Sequence, residues 1–260
     1  MTIPVDPDWW KTLFDDVYLL TDARSVCDDD LTRREVDLFC RLLPLDPSHR
    51  ILDLCGGHGR HSIELCRRGY GGCLVLDYAG RLLLRGLETA RRNDDHVAFL
   101  RCDARWAAVG DGVGDHVLIL GNSLGYLPGR ESDRQILAES RRLLKSGGGL
   151  LLDLSDGRQV HRHFVPEAWH EIGDDVVVCR RRELDGERVR AREMVLRKSG
   201  GLVRDRTYRI RIYTPETVTA LLDGAGFADI RVHADFRAHA DDGDYGFMNR
   251  RMLVTARKEG

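Results

Sequence analysis

Residues 50–62 read RILDLCGGHGRHS. The apolar pair Ile51-Leu52 runs into Asp53, and a glycine-rich turn, Gly56-Gly57-His58-Gly59, follows at once. A segment of helical rhythm begins at Arg60. The spacing predicts a buried strand that ends in a tight loop, with the loop opening a helix. Glycine suits such a loop because the backbone must turn sharply and approach a ligand with no Cβ in the way. The helix start offers unpaired N–H groups to an anion.

This stretch resembles the first motif of class I S-adenosylmethionine (SAM) methyltransferases, an acid followed by spaced glycines. Asp53, Gly57 and Gly59 fall on the motif positions, and Cys55 stands where the motif usually has its first glycine. A dinucleotide Rossmann loop is the rival reading. Its G-x-G-x-x-G fingerprint would place Ser62 at the third glycine. A short-chain reductase would also need a Tyr-x-x-x-Lys pair, and the only lysines are Lys11, Lys145, Lys198 and Lys258. An ordinary strand–helix turn without a ligand is the third reading.

Composition narrows the class further. The chain has 260 residues, 42% hydrophobic and 32% charged, as expected of a globular protein. Formal net charge is −2, which argues against a basic nucleic-acid or membrane surface. No apolar run approaches the ~20 residues that span a bilayer. The N-terminus is acidic and aromatic, unlike a signal peptide. Seven cysteines without a C-x-x-C pair read as reduced thiols, hence a cytoplasmic protein.

Outward from the loop, the first helix is expected to reach about Arg68, with Gly69 as its stop. Cys73–Leu76 reads as a second strand ending in Asp77, followed by a helix that places Leu83, Leu87 and Ala90 on one face. A third strand ends in Asp103. His116–Leu120 forms a fourth, followed by Gly121-Asn122-Ser123. An amphipathic helix with Ile136, Ser140, Leu143 and Leu144 inward is closed by Gly147, and a fifth strand follows. Short apolar strands alternating with helices predict a parallel sheet covered on both faces. Between 157 and 213 the helical rhythm gives way to three expected antiparallel strands, with turn signals at Asp185-Gly186 and Gly200-Gly201. On the last of these, Tyr208, Ile210 and Ile212 alternate with Arg209, Arg211 and Tyr213. Thr214-Pro215 starts another helix, and two strands close the chain.

The expected fold is therefore α/β: a Rossmann-like class I methyltransferase fold with a mostly parallel seven-stranded sheet. Residues 1–156 and 214–260 would form the SAM-binding core and 157–213 an antiparallel β cap. The resemblance covers residues 30–156 and 214–260. More narrowly, it extends to small-molecule methyltransferases with a β insertion after strand five, such as glycine and amino-sugar N-methyltransferases.

Ligands of open α/β sheets bind beyond the carboxyl ends of the strands. Asp77 stands where a carboxylate accepts from two ribose hydroxyls. The resemblance implies that Asp103 meets the adenine amino group, with Tyr78 and Ala104 beside the ring. Asp53, Cys55, Gly57, Gly59, Arg60 and Asn122 complete the expected SAM site. Arg60 would pair with the methionine carboxylate or simply face solvent. Candidates near the transferred methyl are His61, Asn122 and Tyr126. His61 is either a general base or a histidine that only holds cofactor or loop. Trp9, Trp10, Phe14 and Tyr18 either pack over the cofactor or anchor the N-terminus. Tyr18, Arg209, Arg211 and Tyr213 are candidate acceptor contacts. His161, His163 and His170 lack a metal-ligand spacing, so no metal is expected.

The expected function is methylation of a small molecule at nitrogen or oxygen, in specialised metabolism, by a monomer or homodimer without nucleic-acid or membrane partners. One alternative uses SAM itself as substrate, cyclising or eliminating its aminobutyrate arm and releasing methylthioadenosine. Another is a SAM-binding partner protein without catalysis.

Overall fold

The computed structural model describes residues 2–22, 26–236 and 250–260. The central sheet has seven strands in the order β10-β11-β5-β4-β1-β2-β3. These are β1 Arg50–Leu54, β2 Gly72–Asp77, β3 Ala98–Arg101, β4 Gly114–Ile119, β5 Leu144–Ser155, β10 Phe227–Phe236 and β11 Arg251–Lys258. Strands β1 to β5 pair in parallel, while β11 is antiparallel to both β5 and β10. The flanking helices are α2 Asp29–Leu42, α3 Arg60–Arg67, α4 Gly80–Asn93, α5 Gly129–Leu143 and α7 Pro215–Gly224.

Both sheet faces are buried, as β1 shows. Leu52 and Leu54 join one apolar cluster with Ile119 and Leu152, while Ile51 joins the opposite cluster with Val75 and Leu118. A strand with core on both sides must be apolar at consecutive positions. Each fully buried Leu or Ile contributes about 1.5–3 kcal/mol relative to exposure. The sheet order reverses between β1 and β4, so the loops after these strands diverge and leave a crevice.

Three local expectations are corrected. Gly147 does not close a helix. Helix α5 ends at Leu143 and β5 starts at once, with Gly147 at φ 75° inside an irregularity between β4 and β5. The stretch after Asp156 is not free of helix, because the Asp156 side chain accepts from Arg158 N and starts the short α6, Gly157–Arg162. The second sheet has four strands, not three: β6 Glu167–Ile172, β7 Val176–Asp185, β8 Arg188–Arg197 and β9 Gly201–Arg211, in that order. Gly173, at φ 55°, breaks the expected first strand into β6 and β7. The two ends of this segment meet where Gly157 N donates to Tyr213 O (2.8 Å).

Candidate functional site

The cavity opens where the loops after β1, β2, β3 and β4 converge, and the N-terminal segment and the inner face of the cap sheet close it. Its floor is the loop after β1. Cys55 and Gly57 both have positive φ, and Cys55 N donates to Leu76 O (2.7 Å), which ties the loop to β2. A Cβ on Gly56 would lie 2.6 Å from the Asp53 carboxyl carbon, so glycine is required there. Gly59, at φ 71°, makes the sharp turn the loop requires. Its Cβ would meet Phe99 and Val75 at 2.9 Å, and it does not line the cavity. It seats the loop on the core.

The strand-end acids are held by distinct partners. Asp53 is fully buried; one oxygen accepts from Ser62 Oγ (2.9 Å) and the other has no partner. Burial, with the nearby charge of Asp77, pushes its carboxyl up to about 6, against the Ser62 bond. Asp77 accepts from the backbone N–H groups of Gly57 (2.8 Å) and Ala79 (2.7 Å), which aim its carboxylate at the cavity rim. Burial still raises its pKa. Asp103 is gripped by Arg105, with contacts of 3.0 and 2.6 Å. Burial opposes its ionisation, but the Arg105 bonds and charge prevail and lower its pKa. Tyr78 and Ala104 line the same end, where Trp10 packs edge-on against Tyr78 (4.8 Å between centroids).

At the other end lies a buried ionic cluster. Glu35 receives Arg60 (2.5 Å), His61 Nε2 (2.8 Å) and Arg251. Arg251 also reaches Asp153 (2.8 Å), whose same oxygen accepts from Gly121 N (3.0 Å). Burial disfavours the Glu35 anion, but Arg251 and Arg60, together with the His61 bond, hold its carboxyl well below the ordinary range. His61 is depressed to about 4 by burial and by Arg60, although Glu35 pulls the other way. Arg60 therefore neither stands free nor faces solvent. Asn122, at φ 61°, accepts from Ser155 N through Oδ1 (2.9 Å) and donates its backbone N–H to Asp153 O (2.9 Å).

The wall opposite the loop is aromatic. Trp9, Phe14, Tyr18, Tyr126 and Tyr208 pack together, with Phe14 stacked on Tyr126 (5.6 Å) and Trp9 near Tyr208 (5.8 Å). The Trp9 and Trp10 indole N–H groups are buried without a partner. The cap adds Glu193 between Arg180 (2.7 Å) and Arg204 (2.6 Å).

The structure gathers Asp53, Cys55, Gly57, Arg60, His61, Asp77, Tyr78, Asp103, Ala104, Asn122, Tyr126 and Tyr18 around one cavity. Arg209, Arg211 and Tyr213 are not among the residues that line it. Arg211 and the Tyr213 hydroxyl both bond Asp133 in the interior, and neither side chain reaches solvent appreciably. The cap strand presents its other face, Tyr208 and Ile210, to the cavity. Sequence reading missed Glu35, Asp153, Arg251, Asp22, Glu193 and Tyr208. Glu35 carried a signal: Leu31, Glu35 and Phe39 lie at i, i+4, i+8 on a helix whose buried face otherwise holds Thr32 and apolar residues. Among the described residues, no three of His, Cys, Asp and Glu gather as a metal-holding group.

Residues 51–148 match the family model described as "Methyltransferase domain". The chain is 30% identical over 225 residues to a glycine/sarcosine N-methyltransferase of Aphanothece halophytica, covering 81% of this chain and 79% of that one. It is 27% identical over 224 residues to the enzyme of the same name from Halorhodospira halochloris, covering 84% and 80%. Among solved structures, the CcbJ methyltransferase of Streptomyces caelestis shares the fold. The TM-score is 0.74 at 20% identity, covering 98% of this chain and 100% of that one.

Proposed function

This chain belongs to the class I SAM-dependent methyltransferases, and we propose that it methylates the amine nitrogen of a small molecule. Its cofactor is SAM, and the cavity residues suit that ligand. Asp77 offers a carboxylate pre-aimed by two backbone N–H groups, as a vicinal diol requires. Gly56 and Gly57 leave the loop bare of side chains where a ligand passes. The free oxygen of Asp53 and the Trp10 indole N–H are buried polar atoms awaiting partners. SAM supplies a methyl group already activated on a sulfonium.

The protein's own part is to position, to exclude water and to manage a proton. Trp9, Phe14 and Tyr126 close the cavity with apolar surface. Asn122 is fixed by two backbone partners, which sets the turn after β4 rigidly beside the Asp153 cluster. Proton handling separates nitrogen from oxygen. An alcohol is a poor nucleophile until a base takes its proton during attack, whereas an amine that arrives as an ammonium gives its proton to solvent beforehand and then attacks through its own lone pair. The imidazoles at the cavity, His58 and His61, are both depressed to about 4 by burial and Arg60, so they are weak bases. His61 is committed to Glu35. This arrangement suits an amine.

The observation that carries the reading is the relationship to glycine/sarcosine N-methyltransferases across four-fifths of the chain. Of the acceptor contacts expected from sequence, Tyr18 lines the cavity and is the candidate, rather than Arg209, Arg211 or Tyr213. The test is incorporation of labelled methyl from SAM into matched amines and alcohols, with S-adenosylhomocysteine measured in parallel. Labelled amine supports the proposal. Labelled alcohol alone, or methylthioadenosine as the only SAM product, overturns it.

A further inference from the structure

We propose that Asp22, framed by Tyr18, Tyr126 and Tyr208, is the subsite that binds the acceptor as a cationic amine. The inference rests on the N-methylation reading and adds to it the acceptor's charge and the residue that selects it.

Asp22 closes the first turn of the chain that enters the cavity: α1 spans Asp16–Thr21, and Asp22 N donates to Tyr18 O (3.0 Å). Its side chain is about one-third exposed, and the residue lines the cavity with the three tyrosines. One carboxylate oxygen takes Thr21 Oγ1 (2.9 Å), and both oxygens accept from Arg180 Nη2 (3.2 Å each). Arg180 is bound more closely to Glu193 (2.7 Å), and Glu193 also holds Arg204 (2.6 Å), which reaches Asp15 (2.9 Å). The run Asp22–Arg180–Glu193–Arg204–Asp15 alternates in sign and ends in an acid at both ends. Asp22 is the end that opens on the cavity. Arg182, next on the same face of β7, directs a guanidinium N–H to Val165 O (3.5 Å).

The surrounding groups favour a cation as well. All three phenols feel the Asp22 charge. Tyr126 stacks on Phe14, and Trp9 packs near Tyr126 and Tyr208, so the rings that line the cavity beside Asp22 form one aromatic wall. Aromatic faces beside a carboxylate attract an ammonium and give a neutral group of the same shape no comparable gain.

The test uses the full chain saturated with S-adenosylhomocysteine and a matched pair of probes, choline and its neutral carbon isostere 3,3-dimethyl-1-butanol, titrated by calorimetry. Choline is expected to bind about tenfold or more tightly than the isostere. Asp22→Asn should abolish that preference, with SAM affinity within about twofold of wild type, and Asp22→Glu should keep it. Equal affinity for the two probes, or a preference that survives in Asp22→Asn, overturns the subsite. If Asp22→Asn fails to fold, Tyr208→Phe and Asp22→Glu still compare the two probes. A probe preference absent from both overturns the proposal. The labelled-methyl assay separates the two levels. Amine methylation that is indifferent to Asp22→Asn sinks the subsite and leaves the N-methylation reading standing. Methylation of alcohols alone sinks that reading.

Discussion

Arg251 and Glu35 lie 216 residues apart and meet as an ion pair, with 1% and 0% of their side chains exposed. The pair joins the last strand to α2 and, through Arg60 and His61, to the helix that follows the glycine loop. Stability and the site are therefore linked at this point. Removing one partner of a buried pair leaves an uncompensated charge, which costs about 3–5 kcal/mol. Arg251→Ala should lose about that much in urea denaturation, because it strands Asp153 and takes from Glu35 one of its three charged or ring partners. Arg251→Lys should recover only part, since a lysine cannot serve two carboxylates with a planar fork. A loss below about 1 kcal/mol for Arg251→Ala would mean that the cluster does not carry this weight.

Arg211 is the root of the cap and not an acceptor contact. Its guanidinium and the Tyr213 hydroxyl share one oxygen of Asp133, all three in the interior. Arg211→Ala is expected to destabilise the fold by about 3–5 kcal/mol. Tyr213→Phe, which removes a single hydrogen bond to a charged group, should cost about 1.5–3 kcal/mol. In whatever fraction stays folded, Arg211→Ala should leave the acceptor KM near wild type. A raised KM with unchanged thermal stability would restore Arg211 to the acceptor site.

Asp77 gives the sharpest cofactor test. Its carboxylate is positioned by Gly57 N and Ala79 N at the cavity rim. Asp77→Ala should weaken SAM binding by about 1–3 kcal/mol, roughly 5- to 150-fold in Kd. Asp77→Asn should fall between, because an amide oxygen still accepts. Calorimetry on folded Asp77→Ala showing wild-type SAM affinity would remove Asp77 from the cofactor site.

Stability should fall in mild acid. His58, His61 and His116 are each depressed to about 4 from an ordinary 6.5, burial being the main cause. Between pH 6.5 and 4 the unfolded chain takes up protons that the folded chain does not, so folding is disfavoured as pH drops. Asp53 acts oppositely. With its pKa raised to about 6, the folded chain is the first to take a proton there, which adds stability as pH falls from 6 toward 3.8. Asp77, Asp133 and Asp153, raised by burial, act with Asp53, whereas Glu35, Asp103 and Glu193, held below the ordinary range by arginines, act with the histidines, and the histidine loss is the one that spans pH 6.5 to 4. His116 lies away from the site, with Nε2 3.1 Å from His49 Nδ1, and is the convenient probe. His116→Asn should flatten the pH dependence of the urea midpoint between pH 7 and 5. An unchanged slope would show that His116 contributes nothing to it.

Short-range patterns were enough to place the glycine loop, the strand-end acids Asp53, Asp77 and Asp103, and the order of strands and helices from β1 to β5. Each depends on residues within a few positions of one another, and a parallel sheet with both faces buried leaves a plain mark in consecutive apolar residues. The alternation along β9 correctly separated Tyr208 and Ile210 from Arg209 and Arg211. It did not say which face met the cavity, because that depends on how the second sheet leans on the core. An arginine reads as solvent-facing until an acid such as Asp133, 78 residues away, is brought beside it. Asp153 and Arg251 were silent for the same reason. Their roles exist only as pairings between distant elements, and the pairing energy that lets charges lie buried has no counterpart in local sequence.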